Sequence, residues 1–185
     1  MTIVRGIRFL LVAGLLGAMP GLATAAPEQI EVSDETLVRA GQATREELLF
    51  DLYQVSLYLP SKDAGMERIT QQTVPKAFHV EVLYGGGMPE EIPEDWAEEL
   101  LPPIPDPKVE ELRQVFQNLE EGDELVITYA PGSGTTVRLN GETVFTDPGA
   151  ELMAGMVDVF LGPDPVSENV SASLLGRAKE EGWLF

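Results

Sequence analysis

Glu121 to Gly162 reads EGDELVITYAPGSGTTVRLNGETVFTDPGAELMAGMVDVFLG, and the punctuation of this stretch decides the fold. Leu125, Ile127 and Tyr129 alternate with Val126 and Thr128, the two-residue period of a strand. Pro131-Gly132-Ser133-Gly134 is a turn. Val137 and Leu139 run up to Asn140-Gly141, the dipeptide that best tolerates positive φ in a tight hairpin. Val144 and Phe145 lead back. A helix is expected to open at Asp147-Pro148, where a carboxylate can cap and proline lacks the N–H that the first turn leaves unused. Leu152, Met156, Val159 and Phe160 form its apolar stripe, and Gly162-Pro163 stops it.

Working outward, Arg45 to Pro60, REELLFDLYQVSLYLP, is the longest strand pattern. Leu48, Phe50, Leu52, Gln54, Ser56 and Tyr58 fall on one face; Arg45, Glu47, Leu49, Asp51, Tyr53, Val55, Leu57 and Leu59 fall on the other. Both faces are largely apolar, as in a central strand covered on both sides. Ile30 to Gly41 supplies one or two short strands, and Asp63 to Gln72 a short helix. Pro75 to Tyr84 is a strand with Phe78, Val80, Val82 and Tyr84 inward, which leaves His79 and Glu81 on a solvated face. After the Gly85-Gly86-Gly87 loop, Pro89 to Leu101 reads as an acidic helix burying Trp96, Leu100 and Leu101. Asp106-Pro107 opens a second helix with Val109, Leu112, Phe116 and Leu119 at helical spacing. A last helix runs from Asp164-Pro165 to Gly176, and the tail Trp183-Leu184-Phe185 docks on the core.

The N-terminus reads as a leader. Arg5 and Arg8 form a basic region, Phe9 to Met19 is apolar, and Ala23-Thr24-Ala25 is a small-residue cleavage site. The apolar run is short for a membrane span, so the expectation is residues 1–25 as a signal peptide, export to the periplasm, and one domain over 26–185 with no stable membrane insertion after cleavage. About 160 residues then remain, enough to bury about 70% of the unfolded surface. The chain has no cysteine, which excludes disulfides, thiol catalysis and cysteine metal sites. Its formal charge is −19, or −21 without Arg5 and Arg8. With no Lys or Arg cluster, nucleic acid is excluded as a partner.

No catalytic constellation is self-evident. Pro131 to Thr136 is glycine-rich but lacks the lysine of a phosphate-binding loop and precedes a strand. There is no G-x-S-x-G motif, and His79 is the only histidine, a poor start for a triad or a metal site. The run Glu90, Glu91, Glu94, Asp95, Glu98, Glu99 lacks a calcium-loop pattern and reads as a solvated face. We therefore expect no metal and no cofactor.

The wording of Gly122–Glu142, the helix end VDVFLGPDP and the following SLLG resemble the bacterial chalcone isomerase-like family. Its members typically read G-D, Y-x-P-G-x-G-T, a short strand, N-G, and a helix ending in Leu-Gly. They also carry an arginine, then aromatics, then L-Y-L, which Arg45, Phe50, Tyr53 and Leu57-Tyr58-Leu59 match. The resemblance spans about Ile30 to Gly176. This chain departs from the pattern with Glu46, Glu47 and Asp51 where relatives carry lysines, and with Ala43 where a glycine would sit.

The resemblance implies an α+β fold, a large antiparallel sheet with helices packed on one side and a pocket between. It also implies ligand binding at Arg45, Tyr53 and Tyr58. In plant chalcone isomerases an arginine stabilises a developing charge. In related non-catalytic members it faces a fatty-acid carboxylate. Of the plant enzymes' hydroxyl and amide residues only a neighbour is found, since Tyr53 lies near the threonine position. The expectation is a non-catalytic binder of a small apolar or carboxylate ligand. The alternative is an intramolecular lyase of the chalcone isomerase type. Arg45 has a plainer reading too, as the partner of a nearby acid.

Overall fold

The structure is a computed structural model and describes residues 26–47, 50–83 and 106–177. Seven strands follow one another in a single antiparallel sheet in chain order. They are β1 (Gln29–Val32), β2 (Glu35–Glu47), β3 (Phe50–Leu59), β4 (Lys76–Val82), β5 (Glu124–Ala130), β6 (Gly134–Leu139) and β7 (Glu142–Asp147). Among the described residues four helices accompany them: α1 (Met66–Ile69), α2 (Asp106–Gln117), α3 (Glu151–Leu161) and α4 (Glu168–Leu174). None is long and apolar enough to cross a membrane.

The alternation read from the sequence fixes which face is buried. Tyr53, Val55, Leu57 and Leu59 of β3, Phe78 and Val82 of β4, Leu125, Ile127 and Tyr129 of β5, Val137 of β6 and Phe145 of β7 share one core with the helices. From α2 come Leu112 and Phe116, from α3 Leu152, Met156, Val159 and Phe160, and from α4 Val170 and Leu174. The other face curls over itself. Val32 of β1 and Leu37 of β2 pack with Tyr58, Ala77 and Ala130 in a second cluster, so β1 reaches β5. β3 is therefore covered on both faces over its second half, as its apolar pattern requires.

Several boundaries differ from the sequence reading. The stretch from Arg45 is not one strand but the end of β2 and all of β3, paired antiparallel with Arg45 opposite Tyr53. The first strand region is longer than expected because β2 alone runs 13 residues. Three register irregularities each leave one extra residue: Ala40 in β2, Leu52 in β3 and Val144 in β7. All three pack against the main core. Leu52 thus joins the same side as Tyr53, contrary to strict alternation, because a bulge places two residues against one.

Asp147 is the last residue of β7 and does not cap α3, whose N-cap is Ala150 without a side-chain bond. The helix waits because Gly134 runs against the Asp147 and Pro148 backbone, which keeps this segment in line with the sheet. α4 begins later than expected, at Glu168, with the Ser167 hydroxyl accepting from the Val170 N–H at 3.4 Å. The helix expected over 63–72 is the single turn α1. The expected signal peptide, Leu48, Leu49, Tyr84, the glycine loop expected at 85–87, the expected acidic helix with Trp96 and the tail at 183–185 lie outside the described residues.

Candidate functional site

Where β3, β4 and β5 face α2 and α3, a narrow seam runs through the core. Tyr53, Val80, Val82 and Leu125 from the sheet, Phe116 and Leu119 from α2 and the residues after it, and Met156 and Phe160 from α3 line a space of about 10 Å³. Phe160 meets Tyr53 edge-on at 6.4 Å between ring centroids and packs tilted on Phe78 at 5.2 Å. Among the described residues, every wall residue but Tyr53 is wholly apolar. Burial raises the Tyr53 phenol well above its usual pKa, and the nearby Arg45 charge opposes that rise in part.

Arg45 reaches this place through strand register. Directly opposed residues of an antiparallel pair project to the same side, so Arg45 shares with Tyr53 the face that bears the helices. It is half-buried, and its Nη1 donates to the Glu46 carbonyl at 2.6 Å. The Leu52 bulge lies immediately beside the Arg45–Tyr53 pair. Bulges re-aim side chains, and here the pairing shifts by one residue before it resumes at Glu46 and Asp51. Glu46 and Asp51, the next pair, are both exposed acids.

Arg45 and Tyr53 are thus brought together. Tyr58 is not with them. It projects from the opposite face of β3, packs with Val32, Leu37 and Ala77, and its hydroxyl donates to the Pro27 carbonyl at 2.7 Å. His79 differs from its expected solvated position, being only 4% exposed. It sits on the curled face between Ser56 and Val126 in register, with Nε2 3.8 Å from the partly exposed Glu124 carboxylate. That face is closed in part by non-local packing of β1, which a strand's own alternation does not report. The seam residues Phe116, Leu119, Met156 and Phe160 were legible only as core, since periodicity marks a buried face and not a gap within it.

A model described as chalcone isomerase-like matches residues 22–176, a span that takes in every described strand and helix. Among solved structures, a fatty-acid binding protein of Arabidopsis thaliana superposes with a TM-score of 0.59, covering 81% of this chain and 90% of that one at 16% identity. At that identity the likeness concerns the fold. No curated protein matches the chain. The antiparallel sheet with helices on one face and the family match over residues 22–176 agree: this chain belongs to the chalcone isomerase-like family.

Proposed function

We propose that this protein is a non-catalytic binder of a small apolar ligand bearing a carboxylate, a fatty acid or a molecule like one. The observation that carries the reading is the apolar seam between sheet and helices with Arg45 in register beside Tyr53 at its edge. Acyl chain would lie along Val82, Leu125, Met156 and Phe160, and the carboxylate would meet the guanidinium, which suits its planar geometry. The fold's likeness to a fatty-acid binding protein supports the same class.

The seam as it stands holds less than one water's share of liquid volume. A ligand therefore enters by parting α2 and α3 from the sheet. Met156 is suited to that, because its unbranched thioether repacks easily. A ring-closing lyase would need several polar groups converging on the substrate. Among the described residues lining the seam, the Tyr53 hydroxyl is the one polar side-chain group. Native mass spectrometry of protein purified from its natural source tests the reading. A bound species with the mass of an acyl carboxylate is expected, and a uniformly ligand-free spectrum under gentle conditions would count against it.

A further inference from the structure

A second cleft lies at the opposite end of the same helix-bearing face. Ile69 of α1, Lys76 of β4, Tyr129 of β5 and Met153, Val157 and Asp158 of α3 line a space of about 90 Å³. Lys76 is 3% exposed. Its Nζ donates to the Gln71 carbonyl at 2.9 Å and sits 5.1 Å above the Tyr129 ring. The ring is held by its own hydroxyl, which donates to the Gln72 carbonyl at 2.7 Å. No carboxylate lies within salt-bridge distance of this ammonium among the described residues. A buried cation is costly unless paired, and one carbonyl and one ring face are weak compensation, leaving two N–H groups for another acceptor.

From this geometry we infer that the cleft at Lys76 is a binding site for a short aliphatic monocarboxylate, separate from the seam at Arg45. The ammonium takes the carboxylate, and Met153, Val157 and Ile69 take the alkyl part. The volume is about three waters' share of the liquid, which suits an acid of about two to four carbons and excludes a long chain lying wholly within it. A doubly charged anion such as phosphate is disfavoured, because one cation faces it and the Asp158 carboxylate stands at the rim, with Thr70 and Gln72 the neutral polar side chains in the lining. This site does not depend on the seam binding anything.

The charge state of Lys76 gives the site a pH signature. Burial pulls its pKa down to about 8. Among the described residues, the other titratable groups facing it are Tyr129 and Asp158, with Glu151 of α3 acting on Tyr129. Burial, and then Glu151, raise the Tyr129 phenol above its usual value, so it keeps its proton while Lys76 loses its own. Binding that needs the ammonium should weaken roughly tenfold per pH unit once pH exceeds the free protein's Lys76 value.

Butyrate titrated into the full chain, followed by backbone NMR shifts, tests the inference. We expect saturable shifts centred on residues 69, 76, 129, 153 and 157, with affinity falling above about pH 8. Lys76→Met should weaken binding at least roughly tenfold, the scale of one charge-assisted hydrogen bond, whereas Arg45→Ala should leave it unchanged. Should Lys76→Met fail to fold, Ala154→Leu decides alone. Ala154 is an exposed position of α3 at the cleft mouth, and a leucine there should block entry without touching Lys76. No saturable binding, binding untouched by both cleft variants, or binding lost in Arg45→Ala would overturn the site.

Discussion

At Asn140-Gly141 two residues determine how a hairpin closes. Their φ values are +51° and +85°, the positive pair a type I′ turn demands. Asparagine does more than tolerate the conformation. Its Oδ1 accepts from the Glu124 N–H at 2.9 Å and its Nδ2 donates to Asp123 at 2.8 Å, so the β6–β7 turn is tied to the start of β5. A Cβ on Gly141 would meet nothing within contact range, so substitution there isolates backbone strain from packing. Gly141→Val should cost about 1–3 kcal/mol, lowering the melting temperature by roughly 2–4 °C for each kcal/mol. Thermal denaturation followed by circular dichroism measures it, and an unchanged midpoint would disprove the strain.

Among the elements, α4 and β2 show how little of the packing a local pattern carries. Gly41 lies directly beneath the backbone of α4, where a Cβ would collide with the carbonyl oxygens of Ser173 and Leu174. Ala43, also on that face, is small and buried. Gly41→Ala should therefore push α4 off the sheet at a cost of about 1–3 kcal/mol, typical of overpacking. Urea denaturation gives the loss directly, and a variant as stable as the parent would mean that α4 adjusts freely. The Gly41 contact was not legible beforehand, because sequence alternation says nothing of which strand residue a distant helix crosses. By contrast, the inward sets Leu125/Ile127/Tyr129 and Leu152/Met156/Val159/Phe160 were fully legible, since one period produces each. The helix starts at Asp147 and Asp164 were misread because an Asp-Pro pair suits a turn as well as a cap. The bulge at Leu52 was invisible for a further reason: it exists only in the pairing of two strands. Arg45 could be singled out from the sequence, but its place opposite Tyr53 rests on that same pairing.

For the whole molecule, the chain just after the expected cleavage site is built into the fold. Ala26 is 5% exposed, and its carbonyl accepts from Arg39 Nη1 at 2.9 Å. Pro27 accepts from Tyr58, and Glu28 forms an ion pair with Arg39. These contacts support the proposal that the mature domain begins at Ala26 or Pro27 after export. Expressed with its leader in a Gram-negative host, the protein should be recovered from the periplasm with one of those residues at its N-terminus. Full-length chain in the inner membrane would contradict this.

The central claim, that the seam beside Arg45 receives an acyl carboxylate, concerns the molecule as a ligand carrier. Its most direct test is calorimetric titration of a long-chain fatty acid into the parent protein and Arg45→Ala, with melting curves of both. The parent should bind saturably. The variant should bind roughly ten- to a hundredfold more weakly, the equivalent of a charge-assisted hydrogen bond of about 1.5–3 kcal/mol, while melting at the same temperature. A parent that binds no fatty acid, or a variant that binds equally well, would contradict the claim.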